Sequence, residues 1–499
     1  MSAQDSGGFR STYPIEEPYV YAAILEDPTT KEGIYKLITP TLTPEDEALL
    51  EKIKKIFLDE LNIDVKELDG GRAPTVIENE VRRIIKDYKM KVDEGLLNKL
   101  LYYIKRDFLG FERIDPLMKD HYIEDISCDG VGVPIYVWHR EYESIRTNLL
   151  FDTEEELGRF VVRLAYRCGK HLSIANPILD GSLPDGSRVN ATYGSEISRK
   201  GTTFTIRRFR ADPLTIVDLI QMGTLSPELA AYLWYAVENK SSILIVGEVA
   251  SGKTTMLNCT SMFIRPDMKV VSIEETPELN IPHTNWIPMA TRMGSGKKES
   301  DITLFDLLKN ALRQRPDYIL VGEIRGAEAY ALFQALATGH GVQATVHAEN
   351  LQGVLNRLEG EPMKIPKTLI GLIDVIMIQS RVRVGNKSVR RTVDVIEVAG
   401  YDKGRDELIM NPLVKWDPSK DAHVFGAESA LLKGIAQEKG ISLEEIRSEV
   451  AKRKVILGWM ARKMIRRYLE IGNLLREYYA DRDRVFRMAL VDSMSGAPV

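Results

Sequence analysis

The chain has few cysteines, no long apolar run and no excess of charge of one sign. Its 499 residues include only Cys128, Cys168 and Cys259, which lie far apart and form no CxxC pair. This pattern argues against a zinc module and a disulfide framework, and it favours a reducing compartment. The longest apolar stretch, Leu369–Ile378, is interrupted by Asp374 and is too short to span a bilayer. We therefore expect no membrane-spanning helix.

The charge balance is nearly even, with 67 basic and 72 acidic side chains and a net charge of −5. Such a balance gives no bulk attraction to nucleic acid or to anionic membranes. The first ten residues are polar and contain no apolar signal core. We expect a soluble cytoplasmic protein that has no nucleic-acid partner and contacts the membrane only indirectly.

The length predicts two or three domains, and the composition of the chain changes along it. From residue 243 to 379, short strands that are apolar throughout alternate with helical stretches, which is typical of a parallel sheet covered on both faces. The predicted boundaries are a mostly helical appendage at 1–109, a small α+β domain at 110–212, an α/β core at 213–400 and a helical region at 401–499.

One motif decides the class of this core. Gly247–Thr254 reads GEVASGKT, follows an apolar strand, precedes a helical stretch and matches GxxxxGK[ST] at every fixed position. Glycines let backbone N–H groups approach phosphate oxygens, Lys253 supplies a mobile cation, and the Thr254 hydroxyl can ligate Mg²⁺. The alternative is an ordinary glycine-rich turn. The predicted ligands are ATP and Mg²⁺, with these phosphate-binding candidates: Gly247, Val249, Ala250, Ser251, Gly252, Lys253, Thr254 and Thr255.

Carboxylates follow two of the predicted strands. Glu323 comes after Tyr318–Val321, with Gly322 at the position where an aspartate usually ends the strand, and Glu274 and Glu275 follow another strand. Each could be a solvated acid at a strand end. Beside a P-loop, however, they are suited to polarising water and holding hydrated Mg²⁺.

Two histidines, His340 and His347, lie close together in the sequence. A neutral imidazole can hydrogen-bond a γ-phosphate or a water molecule. A structural histidine is the alternative, and zinc is improbable without cysteine ligands nearby.

Together these motifs resemble those of the secretion ATPase superfamily, which serves type II and type IV secretion, type IV pili and archaella. The family's Walker A motif corresponds to Gly247–Thr254, its Asp box to Ile273–Glu278, its atypical Walker B motif to Gly322–Gly326 and its His box to Thr338–His347. The resemblance implies a RecA-like P-loop core. It favours Glu323 as the catalytic base, with Glu274 or Glu275 assisting, and leaves open which carboxylate acts.

The resemblance extends to the segments Asp185–Val189 and Phe204–Phe209 of the preceding domain. In the family's hexamers, arginines from this domain or from a neighbour approach the nucleotide. The candidates are Arg188, Arg207 and Arg208, with Arg313 and Arg315 as further possibilities. A solvated or salt-bridged face is the alternative interpretation.

Two features narrow the subgroup within the family. The four-cysteine zinc module usual in the bacterial pilus-extension and type II secretion ATPases is missing here, and the segments Glu17–Tyr21 and Thr41–Thr43 resemble the archaeal branch. That branch implies an archaellum or pilus-like assembly ATPase. It would act as a homohexamer at the inner face of the cell membrane, on a polytopic membrane partner.

Two rival functions remain. A DNA-translocating conjugation-type motor would need basic pore loops, for which Arg292, Lys297 and Lys298 are candidates. A nucleotide-gated scaffold would not hydrolyse ATP, but Lys253, Thr254 and Glu323 argue for hydrolysis.

Overall fold

The structure is a computed structural model that describes residues 9–60, 72–209, 212–292, 301–385 and 387–495. The chain divides into two compact units, Met1–Phe209 and Arg210–Val499. The described residues of each unit form one nine-stranded sheet and two hydrophobic clusters.

The first unit is built on a mainly antiparallel sheet. Its strands are β1 (Phe9–Glu16), β2 (Val20–Glu26), β3 (Gly33–Ile38), β4 (Ile123–Cys128), β5 (Tyr136–His139), β6 (Glu143–Thr147), β7 (Ile178–Ser182), β8 (Arg188–Thr192) and β9 (Thr203–Arg207). They lie in the order β1-β2-β3-β6-β5-β4-β9-β8-β7, and β3 pairs with β6 in parallel.

The described residues of this unit also form five α-helices. They are α1 (Pro44–Glu60), α2 (Ala73–Asp87), α3 (Glu94–Phe108), α4 (Asp115–Lys119) and α5 (Glu154–Arg167). Helices α1 to α3 enclose a separate apolar cluster that includes Ile53, Val81 and Leu100. Helix α5 begins after Thr153, whose side chain accepts a hydrogen bond from the Glu156 N–H, so its start follows from an N-cap readable in the sequence.

The structure corrects the prediction that residues 1–109 form a mostly helical appendage. The described residues 9–38 form three strands, and β3 joins them to the sheet of residues 123–207. Helices α2 and α3 are separate, since Lys89 has a φ of 49° and Asp93 caps the start of α3.

The second unit contains the predicted parallel sheet. Its strands are β10 (Ile243–Gly247), β11 (Val270–Glu274), β12 (Trp286–Ala290), β13 (Tyr318–Val321), β14 (Gly341–His347), β15 (Val375–Val384), β16 (Lys387–Asp402), β17 (Glu407–Asp417) and β18 (Ala422–Phe425). Their order is β12-β11-β13-β14-β10-β15-β16-β17-β18. The first six strands are parallel to their neighbours and the last three are antiparallel.

Helices cover this sheet, and two apolar clusters lie against it. The helices are α6 (Ile216–Gln221), α7 (Pro227–Glu238), α8 (Lys253–Ser261), α9 (Leu304–Leu312), α10 (Glu328–Ala337), α11 (Leu351–Glu359), α12 (Lys367–Ile370), α13 (Ala430–Lys439), α14 (Leu443–Arg462), α15 (Tyr468–Ala480) and α16 (Arg482–Ser495). One cluster combines residues of α6 to α8 with residues of α13 to α16, and the other combines residues of α9 to α12.

The predicted fold class is confirmed: an α/β core with a parallel sheet follows a smaller α+β unit. The region 401–499, expected to be helical, begins with strands β17 and β18 and becomes helical only from Ala430. In the described ranges, no helix is both long and apolar enough to cross a membrane.

Candidate active site

The candidate site lies at the edge of the second unit's sheet where its parallel strands end. β10 runs between β14 and β15, and all five of its residues are buried. Gly247, its last residue, pairs with His347 at the end of β14, while Glu274 ends β11 and Glu323 follows β13. Parallel strands place their carboxyl ends at one edge, and this is where ligands bind in open α/β sheets.

The phosphate-binding loop has a tightly determined backbone. Gly247 lies so close to β15 that a Cβ there would be 2.4 Å from the Gln379 carbonyl oxygen. Ala250 and Gly252 have φ angles of 60° and 93°, and Gly252 is the residue from which helix α8 starts. The chain therefore turns into α8 through left-handed conformations, which leaves the first N–H groups of the helix available to an anion.

Two side chains of the loop form hydrogen bonds with the loop's own backbone. The Ser251 hydroxyl donates to the Glu248 carbonyl at 2.8 Å, and the Lys253 Nζ donates to the same oxygen at 2.7 Å. Burial lowers the pKa of Lys253, although the nearby Glu323 charge opposes this. Val249 is exposed at the tip of the loop, and Thr254 and Thr255 are half-buried in the first turn of α8. This cradle, with a lysine beside a helix N-terminus, fits a nucleoside triphosphate.

An arginine connects two of the candidate carboxylates. Arg325 Nη2 lies 2.8 Å from Glu323 Oε2, and Arg325 Nη1 lies 3.2 Å from Glu275 Oε2. Burial would raise the pKa of Glu323, but the hydrogen bond and charge of Arg325, with the charges of Lys253 and His347, together lower it. Glu323 is therefore an ionised carboxylate within electrostatic reach of the loop lysine.

Glu274 occupies a different environment. It is buried, and its Oε1 accepts the backbone N–H groups of Glu278 and Leu279 at 2.9 Å and 3.1 Å. Burial raises the pKa of Glu274 to about 7, although these two hydrogen bonds oppose the rise. A Cβ on Gly322 would lie 3.1 Å from the Glu274 Cγ. The glycine that replaces the usual aspartate thus makes room for this buried carboxylate.

The two histidines are separated by the strand between them. His347 ends β14 beside Gly247, and its carbonyl accepts the Arg357 Nη1 at 2.8 Å. His340 precedes the first residue of β14, so the two lie about 23 Å apart at the usual rise of a strand. His340, hydrogen-bonded to Thr338 at 3.0 Å, lies at the opposite edge of the sheet. The structure therefore does not bring His340 to the phosphate-binding loop of its own chain.

The candidate arginines of the first unit differ in their surroundings. Arg188 and Arg207 are direct partners across β8 and β9, and Arg188 is also 3.3 Å from Asp180 in an exposed ion pair. Arg208 donates to the carbonyl oxygens of Asp120 and Ile123, and burial lowers its pKa. Arg208 therefore stabilises its own unit, whereas Arg188 and Arg207 lie on an accessible strand surface.

The remaining basic candidates are not brought to the loop. Arg313 and Arg315 lie between α9 and the start of β13, at the edge where His340 also lies. Arg292 forms an isolated bridge with Ile302. Lys297 and Lys298 lie outside the described residues.

The sequence interpretation missed two residues of this site. Arg325 lies within the Walker B stretch Gly322–Gly326, and its position two residues after Glu323 is the sequence signal for it. Arg390 contacts the loop from β16, and no sequence motif predicts this contact.

Comparisons with known proteins identify the family of the chain. Residues 132–412, more than half of the chain, match the family described as Type II/IV secretion system protein. The chain belongs to this family. Its residues 421–495 also match a region described as PilB3-like, C-terminal.

Relatives of this family member are found along most of its length. An uncharacterized protein of Methanocaldococcus jannaschii is 38% identical over 490 residues, covering 94% of this chain and 88% of the relative. A putative conjugal transfer protein of Mycobacterium tuberculosis is 28% identical over 324 residues, covering 62% of this chain and 90% of that protein. Among solved structures, the Legionella pneumophila ATPase DotB is 18% identical, with a TM-score of 0.41, and the match covers 74% of this chain and 92% of that one.

Proposed function

We propose that this secretion-family protein is an ATP-hydrolysing motor that drives assembly or rotation of an archaellum or pilus-like filament. The observation that carries the proposal is the convergence of Lys253, Glu323 and His347 at one edge of the parallel sheet. In this proposal ATP is the substrate, and water attacks its γ-phosphate to give ADP and phosphate.

Each group has a role that its chemistry suits. Lys253 and the N–H groups at the start of α8 bind the β- and γ-phosphates. Glu323, ionised beside Arg325, orients and deprotonates the attacking water. His347 hydrogen-bonds the γ-phosphate or that water.

Magnesium is the implied metal, and the residues present fit it. Mg²⁺ keeps several waters and takes few protein ligands besides the substrate's phosphates. The Thr254 hydroxyl would ligate it directly, and Glu275 would hold its bound water, with Glu274 assisting from the neighbouring buried position. The metal would neutralise charge on the phosphates.

Arg188 and Arg207 are the proposed arginines that reach a nucleotide bound by a neighbouring chain. This requires a ring, which we propose to be a homohexamer acting on a polytopic membrane partner at the inner face of the cell membrane. Native mass spectrometry of the full chain with ATP would contradict the ring if it detected only monomers.

The choice between filament assembly and DNA transfer depends on which relatives match the chain and how much of it they cover. The PilB3-like match at 421–495 and the M. jannaschii relative, an archaeal protein aligned over 94% of the chain, support the archaeal filament branch. The second candidate, a conjugation-type DNA motor, is favoured by the name of the M. tuberculosis relative, whose alignment covers 62% of the chain. Stimulation of ATP hydrolysis by added DNA would favour that second function.

Phosphate release by the purified full chain tests the proposed chemistry. We expect Glu323→Gln to bind a fluorescent ATP analogue like the wild type and to hydrolyse ATP at least about 100-fold more slowly, because the general base is lost. Lys253→Ala should weaken binding as well. Glu359→Gln, which changes an exposed carboxylate at the end of α11, is the matched control and should keep the wild-type rate. A wild-type rate in Glu323→Gln would contradict the assignment.

A further inference from the structure

The hairpin of β15 and β16 extends past the phosphate-binding loop. β10 pairs with β15 only as far as Gly247 and Gln379, whereas β15 continues to Val384 and β16 returns from Lys387. Residues 380–392 contain five basic side chains and no acidic one. A cationic hairpin therefore lies next to the loop proposed to bind phosphates.

A β-bulge occurs at the base of this hairpin. Ile378 pairs with Asp394 and Gln379 pairs with Thr392, so Val393 is an extra residue on β16. Bulges bend a strand and change the direction of its side chains, and they are frequent beside active sites. Arg390 lies three residues before Val393, on the part of the hairpin that extends past the loop.

Arg390 contacts the loop at its most strained residue. Its Nε donates to the Ala250 carbonyl oxygen at 2.9 Å, and its Cδ lies 3.3 Å from the position that a Cβ on Gly252 would occupy. Ala250 has a φ of 60°, a conformation that disfavours every residue with a Cβ. The hydrogen bond holds the carbonyl of a residue that would otherwise relax.

The next residue fixes the backbone from which Arg390 extends. Arg391 is buried and forms two hydrogen bonds of 2.7 Å with Asp421, and it donates to the Met222 carbonyl at 2.9 Å. Successive side chains of a strand point to opposite faces. Arg391 therefore anchors β16 on one face while Arg390 contacts the loop from the other.

Charge at the hairpin also favours an anionic ligand. Arg390 and Arg381 are direct partners across the two strands, an arrangement in which like charges repel. Arg381 Nε donates to the Ser388 hydroxyl at 2.7 Å, and within the part of the chain that the structure describes no acid forms an ion pair with Arg390. A phosphate bound at the loop would offset this repulsion.

We propose that Arg390 is a positioning residue of the nucleotide site, which holds the Ala250 carbonyl so that the loop is preformed for phosphate binding. This role rests on the proposed function, since it requires that the loop bind ATP. It acts on ground-state binding, because the loop conformation is needed before hydrolysis and throughout it. Its loss should therefore raise KM and Kd and leave kcat nearly unchanged.

Three variants of the full chain test this role: Arg390→Ala, Arg390→Lys and the matched control Arg383→Ala, which changes an exposed arginine of the same hairpin. We expect Arg390→Ala to raise the Kd of a fluorescent ATP analogue and the KM for ATP about tenfold, as loss of one charge-assisted hydrogen bond does. kcat should stay within about twofold, and the melting temperature without nucleotide should be unchanged. Arg390→Lys should recover part of the affinity, because lysine can still donate to the carbonyl.

A second background separates positioning from direct contact. Ala250→Gly removes the strain, since glycine adopts a positive φ freely, so Arg390→Ala should cost less affinity in that background. Equal Kd values for Arg390→Ala and Arg383→Ala, an undiminished loss in the Ala250→Gly background, or a lowered melting temperature would each overturn the positioning role alone. A wild-type chain that bound no nucleotide would instead overturn the proposed function.

Discussion

At the scale of single residues, the sheet edge holds two carboxylates in opposite environments. Glu323 has a pKa below its ordinary value because Arg325 and Lys253 outweigh its burial, whereas burial raises the pKa of Glu274 to about 7. Such a divergence separates an ionised base from a carboxyl group that is partly protonated at neutral pH. Glu323 is therefore ionised, as the proposed base must be, and Glu274 has a measurable signature of its own.

That signature is a dependence of stability on pH. The pKa of Glu274 is higher in the folded protein than the ordinary 4.5, so the folded state binds a proton that the unfolded state releases between about pH 4.5 and 7. Wild-type stability should fall across this window, by at most about 3 kcal/mol. Glu274→Gln keeps an Oε1 that can accept both N–H groups and does not titrate. The variant should therefore be more stable than wild type at pH 8, with the advantage disappearing near pH 4.5.

Urea unfolding at pH 4.5 and pH 8 measures this difference. Glu275→Gln, at the exposed neighbouring carboxylate, is the control and should change stability by less than about 1 kcal/mol at either pH. A stability difference between Glu274→Gln and wild type that is the same at both pH values would contradict the prediction.

Residue motifs were readable where the chemistry is local in sequence. Gly247–Thr254 specifies a turn, a cation and a helix start within eight residues, so its place between β10 and α8 was predictable. The contact between Ala250 and Arg390 joins positions 140 residues apart and depends on a bulge that no pattern reveals. Glu274 and Glu323 follow similar strands in the sequence, but their environments differ. Glu274 is more deeply buried and Glu323 contacts Arg325, and neither difference can be predicted from the strand ends.

At the scale of elements, the strands that were predicted in the second unit are the largely buried ones. β10, β11 and β13 are apolar throughout and lie inside the parallel sheet. β12 was missed because it is an edge strand with exposed residues and Pro288. The first three strands of the chain were missed because Pro14 and small alanines hide their alternation, and their pairing with β6 is a tertiary effect.

Buried hydroxyl groups join those three strands to the rest of their unit. The Tyr35 hydroxyl on β3 donates to Asp120 Oδ2 at 2.7 Å, and the Tyr13 hydroxyl on β1 donates to the same oxygen at 2.8 Å. Tyr35→Phe removes one donor to a buried carboxylate, and we expect it to lower the free energy of unfolding of the unit by about 1–2 kcal/mol. Amide hydrogens of β2 and β3 should exchange correspondingly faster in hydrogen-exchange mass spectrometry.

Tyr21→Phe on β2 is the control, because Tyr21 is half-buried in the same group of strands and no hydrogen bond of its hydroxyl is described. It should leave exchange nearly unchanged. Faster exchange throughout the unit in both variants would indicate a general packing effect and contradict the specific role of the Tyr35 hydroxyl.

At the scale of the whole molecule, the physical units differ from the family boundaries. The four apolar clusters are each confined to one unit. Residues 421–495 match a region separate from the Type II/IV secretion family model, yet their helices share a core with α7 and α8 of the second unit. Trp234 on α7 stacks on Phe263, with the ring centroids 5.5 Å apart, and packs against Tyr478 of α15, with the ring centroids 4.7 Å apart. The C-terminal helices are therefore part of the unit that carries the P-loop.

A buried ion pair tests this cohesion. Arg453 on α14 is completely buried, forms an ion pair with Glu238 at the end of α7 and donates to the Tyr478 hydroxyl at 3.1 Å. Glu238 keeps an ion pair with Arg482, so Arg453→Ala should cost less than the about 3–5 kcal/mol of a buried carboxylate left without any partner, but clearly more than loss of an exposed pair. Lys454→Ala, at the next position, removes only an exposed ion pair with Glu228 and should cost less than about 1 kcal/mol.

The two readouts to compare are urea unfolding, followed by tryptophan fluorescence, and ATP hydrolysis at the same urea concentrations. Because α7 leads directly into β10 and packs against α14, loss of the ion pair should lower the midpoints of both readouts together in Arg453→Ala. If the C-terminal helices were only attached to an independent ATPase core, fluorescence would change at lower urea while hydrolysis persisted to the wild-type midpoint. That separation of the midpoints would show that the core withstands loss of its C-terminal layer. Coincident midpoints would show that ATP hydrolysis depends on the C-terminal helices, although Arg453 lies more than 200 residues after Glu238 in sequence.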